Sequence, residues 1–556
     1  MYNYSIIYLF LRLNRQSFPD HFNHYLCRLM QFGFVIDNRK CIGCHACTVA
    51  CKSEHDVPLG VNRTWVKQVE KGEFPNSRRI FSVLRCNHCT DAPCVEICPV
   101  EALYIRQDGI VDFNNDRCIG CKSCMQACPY DALYIDPDTH TAAKCNYCAH
   151  RVDIGLEPAC VNVCPEHAII SGDMDDPNSE IAQTLSREQV TVRRPEKATR
   201  PNVYYINGDA ASLTPSVTER SDQYIWSGQT AGVGHYARFL ENRMAQGTVT
   251  PTSQEVTYAE KTGRKSIGHL IEEASKQKRV YDTPDKGILW GWEVSAYVLT
   301  KAIAAGVILV PFIAMLFGVT GTWLAWSGVL SLIFLTATGA LLIKDLDQPG
   351  RFLYVLLRPQ WNSWLAKGGY AITAFGGLTT VWLASLYLFS GTSLLWHSLS
   401  AAAAVLVAVY TAFLFAQAKG RDFWQSPLLV LHMLVHAFMA GAALFMGFAV
   451  FAESSSEWES FLIVILRVSV LINLMLMGIE LTVTHPTDDA KRTVEMIIKG
   501  RYQRIFWLGA VLAGNLLPLV MTWMAPLAPL AGLLTLVGIY LTERIWVEAP
   551  QRIPLT

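Results

Sequence analysis

The stretch CIGCHACTVAC, residues 41–51, decides the fold of the first part of this chain. Its four cysteines are separated by two, two and three intervening residues. Three thiolates on one tight loop can bind three irons of a cubane cluster, and the fourth, which leads into a helix, points towards a second cluster. The stretch therefore predicts a loop that binds a [4Fe–4S] cluster.

Three further cysteine groups follow with related spacing, so the chain carries the pattern four times. Pro follows the last cysteine in three groups, as Pro99, Pro129 and Pro165. Sixteen thiolates predict four [4Fe–4S] clusters. The third position of every group is a cysteine, so no group suggests a [3Fe–4S] centre. The groups are Cys41, Cys44, Cys47 and Cys51; Cys86, Cys89, Cys94 and Cys98; Cys118, Cys121, Cys124 and Cys128; and Cys145, Cys148, Cys160 and Cys164.

Other roles for these cysteines fit the spacing less well. Zinc uses two Cys-x-x-Cys pairs, without a regular third cysteine and a Pro-flanked fourth. Cys41–His45 formally matches a c-type haem attachment motif, but Cys47 and Cys51 continue the cluster spacing. A disulfide framework is disfavoured because the nearest cysteines of each run cannot comfortably bridge one another. The remaining cysteine, Cys27, has no assigned role.

Composition divides the chain into a polar front and an apolar rear. All 17 cysteines lie before residue 165, and residues 287–556 are mostly apolar. A chain of 556 residues is too long for one ordinary core, which predicts two or more domains. The formal net charge is zero, so bulk charge indicates no nucleic-acid partner. Residues 1–29 contain neither a signal cleavage site nor a twin arginine. A strand is predicted to begin at Met30 (MQFGFVIDNRKC), so we interpret residues 1–29 as an upstream extension.

Residues 30–175 resemble the four-cluster ferredoxin subunit of the complex iron–sulfur molybdoenzymes, as in polysulfide and dimethyl sulfoxide reductases. The resemblance rests on the four cysteine groups, and it implies a ferredoxin-like α+β domain. It also implies that the first group shares clusters with the fourth, and the second with the third. The implied quartets are Cys41, Cys44, Cys47 and Cys164; Cys145, Cys148, Cys160 and Cys51; Cys86, Cys89, Cys94 and Cys128; and Cys118, Cys121, Cys124 and Cys98.

The middle of the chain, residues 176–286, is interpreted as a polar docking segment and linker. Residues 201–206 (PNVYYI) predict a strand that closes the ferredoxin domain. Residues 256–280 predict a charged amphipathic helix. No phosphate-binding loop or catalytic triad motif occurs in this segment.

Eight apolar segments of spanning length follow, each long enough to cross a bilayer as a helix. Aromatic residues such as Trp290, Trp361 and Trp424 crowd the expected interfaces. The rear half is therefore predicted to be an all-α bundle of eight transmembrane helices within 287–550. The predicted spans are 289–318, 323–343, 368–390, 395–417, 426–452, 460–482, 505–524 and 527–546.

The apolar half resembles the NrfD/polysulfide-reductase membrane subunit family. The matching stretches are 345–352 (DLDQPGRF), 362–364 (NSW) and 410–424. This resemblance implies an eight-helix anchor that binds quinone without haem. The residues agree with the absence of haem. A b-type haem usually needs paired axial ligands, but His432 and His436 share one helix face and cannot bind a haem from opposite sides. Electrons are therefore expected to pass directly between quinone and the nearest cluster.

Polar residues inside the spans are candidates for the quinone site, because ionisable groups in a membrane mark functional sites by default. A quinone head group needs several polar partners in one apolar pocket; the alternative is a structural hydrogen-bond network between helices. Lys301 and Arg467 lie deeper, where they line a proton path or pair with each other. The candidate pocket at one depth near the ferredoxin side consists of Glu293, Tyr297, Tyr410, His432 and Glu480, with Asp345 at the same depth.

Together these features predict an electron-transfer and membrane-anchor subunit of a quinone-linked respiratory oxidoreductase. The chain has no substrate-reducing active site of its own, so a separate catalytic subunit is expected, and family analogy favours one with molybdopterin. A [NiFe]-hydrogenase or a nitrite reductase complex remains an alternative partner. A non-catalytic redox-sensing anchor remains an alternative of another class.

Loop charges predict which side of the membrane the clusters occupy. The predicted connections on the ferredoxin side carry many lysines and arginines, whereas those at 319–322, 391–394, 453–459 and 525–526 carry none. The positive-inside rule then places the iron–sulfur domain on the cytoplasmic face of the inner membrane. Two alternatives stay open: export to the periplasm with a catalytic subunit, and basic loops that serve to dock the ferredoxin domain.

Overall fold

The computed structural model describes residues 30–72, 75–218, 277–319, 324–388, 394–448 and 455–556. The upstream extension and most of the predicted helix at 256–280 lie outside these ranges. The chain forms a cysteine-rich domain (residues 30–218 with 277–286) and a helical domain (residues 287–556).

Small β-sheets frame the cysteine-rich domain. A four-stranded sheet has the order β8-β1-β10-β9, a three-stranded sheet has the order β11-β2-β3, and β4-β5 and β6-β7 are hairpins. The strand predicted at 201–206 is present as β10, which pairs in parallel with β1. The strands are β1 Phe32–Asp37, β2 Thr64–Lys71, β3 Arg78–Arg85, β4 Leu103–Ile105, β5 Val111–Phe113, β6 Tyr134–Ile135, β7 Ala142–Ala143, β8 Ile169–Asp173, β9 Val190–Thr191, β10 Val203–Ile206 and β11 Gln277–Tyr281.

Short helices follow the cysteine loops, as the spacing predicts for the turn into the fourth ligand. The first carries Cys47 and Cys51, and later ones carry Cys94, Cys124 and Cys160. The helices of this domain are α1 Ala46–Glu54, α2 Pro93–Glu96, α3 Ser123–Ala127, α4 Ala149–Val152, α5 Ala159–Asn162, α6 Glu180–Arg187 and α7 Ala210–Leu213.

The helical domain is a bundle around one central helix. This helix, Trp292–Leu316, contacts five neighbouring helices and is buried along most of its length. A Cβ atom on its Gly306 would lie 2.0 Å from the carbonyl oxygen of Ala437, so only glycine permits that crossing. The helices are α8 Trp292–Leu316, α9 Leu324–Lys344, α10 Tyr354–Leu357, α11 Trp364–Leu388, α12 Leu394–Gln417, α13 Leu428–Phe448, α14 Ser456–Thr482, α15 Asp488–Ile498, a π-helix Ile505–Leu516, α16 Leu517–Met521 and α17 Ala528–Gln551.

Seven of the described helices are long and apolar enough to cross a membrane: α8, α9, α11, α12, α13, α14 and α17. The span predicted at 505–524 is instead a shorter apolar helix, Ile505–Met521, whose first part is a π-helix. In that part the side-chain amide of Asn515 donates to the carbonyl oxygen of Ala510 at 2.8 Å. The bundle is therefore multi-pass, and an eighth crossing stays a prediction.

The cysteine-rich domain rests directly on one end of the bundle. Arg351 donates to the carbonyl oxygens of Asn115 at 2.7 Å and of Cys118 at 3.0 Å, and Arg421 donates to the side chain of Gln126 at 2.9 Å. Gly120, with a positive φ of 70°, packs against Asp347 so closely that a Cβ would lie 2.7 Å from that residue's own Cβ. Arg351 and Arg421, which lie in loops of the bundle, thus bind the cysteine-rich domain. This role explains part of the positive charge of these loops.

Candidate functional site: cysteine quartets and a membrane cavity

None of the sixteen cysteines of the four groups forms a disulfide, and most are buried. Cys41, Cys44, Cys47 and Cys164 line one small cavity. Cys98, Cys118, Cys121 and Cys124 line another. Thiols from distant groups therefore converge around common cavities.

Electrostatic contacts between thiols define the other two quartets. Cys51 interacts with Cys145, Cys148 and Cys160, and Cys94 interacts with Cys86, Cys89 and Cys128. In each quartet three cysteines come from one group and the fourth comes from another group. The fourth cysteine is Cys51, in α1, or Cys128, directly after α3. We number the quartets along the protein: quartet 1 (Cys41, Cys44, Cys47, Cys164), quartet 2 (Cys145, Cys148, Cys160, Cys51), quartet 3 (Cys86, Cys89, Cys94, Cys128) and quartet 4 (Cys118, Cys121, Cys124, Cys98).

The surroundings of the sulfur atoms suit iron–sulfur ligation. Burial raises the pKa of the Cys47 and Cys148 thiols to about 12, so an anionic form there needs compensating charge and hydrogen bonds. Backbone N–H groups donate to the sulfurs of Cys98 at 3.3 Å and Cys118 at 3.4 Å. Hydrogen bonds to cluster sulfurs are a usual feature of such sites, so these two donors fit a cluster at quartet 4, and the backbone N–H that donates to Cys164 at 3.3 Å fits one at quartet 1.

The quartets form a line through the domain. Cys47 of quartet 1 interacts with Cys160 of quartet 2, and Cys145 of quartet 2 interacts with Cys86 of quartet 3. Cys124 of quartet 4 interacts with Cys94 of quartet 3. Quartet 1 lies at the exposed end, since Cys44 is solvent-exposed. Quartet 4 lies at the bundle, where the carbonyl oxygen of Cys121 accepts a hydrogen bond from the Trp290 indole at 3.1 Å.

A cavity of about 270 Å³ lies between quartet 4 and the ends of the membrane helices. This volume is close to the lower bound of about 300 Å³ for small-molecule pockets. The walls are mostly apolar, and Cys121 contributes to this cavity as well as to the one inside quartet 4. The polar side chains of its wall include those of Tyr297, Asp345, Thr373 and Tyr410.

The structure divides the residues predicted for the quinone pocket into two sets. Tyr297 and Tyr410, with Asp345, line the cavity, whereas Glu293, His432 and Glu480 do not belong to its wall. Glu293 lies one helical turn before Tyr297, and its carboxylate is 3.8 Å from the ammonium of Lys344. The assignment of all five to one pocket stays a prediction.

His432 and Glu480 belong to a buried series of polar groups near the cavity. His432 Nδ1 lies 3.4 Å from Glu480 Oε2, and its Nε2 lies 3.0 Å from His436 Nε2. His436 Nδ1 lies 2.6 Å from Glu543 Oε1. Sequence reasoning did not single out Glu543, although a carboxylate inside the last predicted span is the kind of residue that marks a functional position.

Lys301 lies between this polar series and the cavity wall, since it interacts electrostatically with Glu543 of the series. Its ammonium donates to the Thr411 hydroxyl at 2.6 Å and lies 4.7 Å from the centre of the Tyr410 ring. The sequence leaves two roles open for Lys301 and Arg467, and the one in which they pair with each other is wrong, because Arg467 donates to Thr522 near the opposite end of the bundle.

Asp345, just beyond the end of α9, has an unusual environment. Burial raises the pKa of its carboxyl group to about 7; Lys122 lowers it, and the nearby carboxylates of Glu293 and Asp347 raise it further. A carboxyl group with a pKa near neutrality can accept and return a proton under ordinary conditions.

Comparisons with known proteins agree with these two parts. Residues 39–54 match the model of a 4Fe-4S binding domain and residues 78–174 that of a 4Fe-4S dicluster domain. Residues 283–542 match the polysulphide reductase, NrfD model.

Among the curated relatives, a tetrathionate reductase subunit of Salmonella typhimurium is 45% identical, over 35% of this chain and 80% of the relative. A polysulfide reductase polypeptide of Wolinella succinogenes is 41% identical, over 32% of this chain and 94% of the relative. The arsenate respiratory reductase iron-sulfur subunit ArrB of a Shewanella species is 34% identical, over 32% of this chain and 96% of the relative. Each similarity covers about a third of the chain.

Proposed function

Because this protein belongs to the family of reductase subunits that includes the Salmonella tetrathionate reductase relative, here joined to an NrfD membrane domain, we propose that it exchanges electrons between quinone and a catalytic subunit. The protein is an electron-transfer subunit and a multi-pass membrane anchor in one polypeptide. The proposal adds a [4Fe–4S] cluster at each of the four quartets and a quinone in the membrane cavity. It also includes the ferredoxin-like description of residues 30–175 and the eight-span bundle within 287–550. Residues 176–286 stay a docking segment and linker whose described parts, 176–218 and 277–286, add strands to the sheets of the cysteine-rich domain.

The shared wall at Cys121 is the observation that carries the proposal. This cysteine lines both the interior of quartet 4 and the cavity at the membrane. A quinone head group in that cavity would lie against a ligand of the nearest cluster. Direct electron transfer between quinone and cluster then needs no haem. His432 and His436 support this proposal, because their Nε2 atoms lie 3.0 Å apart and leave no room for a haem between the two rings.

Quinol oxidation releases two electrons and two protons, so the cavity must also move protons. Tyr297 and Tyr410 present hydroxyl groups in its wall, and Asp345 presents a carboxyl group. These residues would bind the quinone oxygens and accept or return the protons, while the clusters, when bound, pass electrons singly. The polar series of Glu480, His432, His436 and Glu543 lies near this site and would exchange protons with it through Lys301.

The catalytic partner would dock at the exposed end of the line, beside quartet 1. The apolar side chains of Ile42 and Val49, next to cysteines of this group, are 56% and 65% exposed. The relatives are named as parts of tetrathionate, polysulfide and arsenate reductases. We therefore propose a reductase catalytic subunit, with molybdopterin as its cofactor, as the partner.

Metal analysis tests the cluster content. Protein purified under anaerobic conditions should contain about sixteen irons and about sixteen sulfides per chain, because each of four clusters holds four of each. A value near eight, or zinc in place of iron, would contradict the assignment of a cluster to every quartet.

Thiol labelling tests our proposal that the iron–sulfur domain lies on the cytoplasmic face of the inner membrane. The residues of the helical domain include no native cysteine, so single cysteines can report each side. Ser455 is less suitable for labelling because it caps α14, and Thr493 is less suitable because it is buried. Their exposed neighbours Ser456 and Lys491 are better positions.

In intact cells, a Ser456→Cys variant should react with a membrane-impermeant thiol reagent, and a Lys491→Cys variant should not. Labelling is compared with that of the parent protein, and permeabilised cells provide the control in which both variants react. The reverse pattern would place the iron–sulfur domain outside the cytoplasm.

A further inference from the structure

A buried arginine lies between quartets 1 and 2. Arg85 is the last residue of β3, and its side chain has no solvent exposure. Its Nη1 lies 3.1 Å from the sulfur of Cys160, and its guanidinium lies 4.3 Å from the centre of the Phe34 ring. The strand and the aromatic ring therefore hold a permanent positive charge against a sulfur of quartet 2.

No carboxylate neutralises this charge among the residues that the structure describes. Their salt bridges do not include Arg85, and its Nε and Nη2 have no hydrogen-bond partner there. An unpaired buried charge costs several kcal/mol, so a counter-charge is needed.

The available counter-charges are cysteine sulfurs. Arg85 interacts electrostatically with Cys160 and Cys145 of quartet 2 and, beyond them, with Cys47 of quartet 1. An iron–sulfur cluster held by thiolates is anionic and carries sulfur acceptors, which would satisfy both the charge and the two guanidinium nitrogens that lack partners. Lys144, another buried cation near these thiols, differs because its ammonium already donates to the carbonyl oxygens of Val111 and Cys145.

We propose that Arg85 is a redox-tuning residue that raises the reduction potential of the cluster held by quartet 2. This inference rests on the proposed function, because it requires a cluster at that quartet. One-electron reduction, with the electron supplied by the neighbouring cluster, adds one negative charge beside the guanidinium. A fixed positive charge and N–H···S hydrogen bonds stabilise that extra charge, and hydrogen bonding to cluster sulfurs is a recognised determinant of potential.

Potentiometric titration monitored by electron paramagnetic resonance measures this effect on the intact protein. In an Arg85→Gln variant, the equilibrium constant for reducing one cluster should fall roughly ten- to hundredfold, since a hydrogen bond to a charged group contributes about 1.5–3 kcal/mol. Each tenfold change corresponds to about 59 mV for one electron. An Arg85→Lys variant, which keeps the charge, should shift less. Arg79→Gln, an exposed position on the same strand, should leave all four potentials unchanged.

Two results would separate the tuning role from the cluster assignment. Four clusters with wild-type potentials in Arg85→Gln would overturn the role of Arg85 and leave the proposed function intact. Wild-type protein without a cluster at quartet 2 would overturn the proposed function itself.

A measurement without substitution covers the case in which the variants do not assemble. Wild-type protein containing nitrogen-15 arginine should show a nitrogen coupling to one reduced cluster in pulsed resonance spectra. Absence of that coupling at every cluster would also overturn the role of Arg85.

Discussion

A Cys121→Ala variant should lose the reduction of its clusters by quinol while dithionite still reduces those that remain. Cys121 is a proposed ligand of the cluster nearest the membrane, and it also forms part of the cavity wall. Removing this ligand should remove about four irons per chain and leave a gap between quinone and quartet 3. The measurements are iron content and the bleaching of cluster absorbance after addition of a soluble quinol or dithionite.

A Cys44→Ala variant provides the matched control. Cys44 belongs to quartet 1, at the exposed end of the line, and its loss should remove a similar amount of iron. Quinol should nevertheless reduce the other clusters at the wild-type rate, because their path to the cavity is intact. Equal quinol-driven bleaching in the two variants would show that electrons do not enter at quartet 4.

An Asp345→Asn variant should oxidise quinol about 10²–10⁴-fold more slowly, the usual contribution of a general base, with dithionite reduction unchanged. Asp345 lines the cavity, and burial raises its pKa to about 7. Below that pH the carboxyl group is protonated and cannot accept a proton; above it the carboxylate can. The wild-type rate should therefore rise with pH through about 7, and the rate of the Asn variant should not.

Glu293→Gln is the informative comparison for this prediction. Both carboxylates lie near the same end of the bundle, but Glu293 faces Lys344 rather than the cavity. We expect a smaller loss of quinol oxidation and a retained rise through pH 7. Wild-type turnover in Asp345→Asn together with a large loss in Glu293→Gln would assign the proton acceptor to Glu293.

The features that depend on local spacing can be predicted from the sequence. Each cysteine group is a loop followed by a helical turn, so its ligand character follows from a short stretch such as residues 41–51. The apolar spans are equally readable, because a helix in lipid must be long and apolar along its own length. Seven of the eight predicted spans correspond to described helices of that kind, whereas 505–524 is shorter and partly π-helical.

Which side chains meet depends on the packing of the helices and strands, and it is visible only in the folded protein. Counting residues gives the depth of a side chain in a bundle, because each helical residue rises about 1.5 Å, and depth grouped Tyr410 with His432 and Glu480. The direction in which each side chain points depends on helix rotation and on the neighbouring helices, which residue counting along the spans does not reveal. Tyr410 therefore faces the cavity, His432 and Glu480 face a separate polar series, and Arg85 meets a sulfur contributed by a segment far along the sequence.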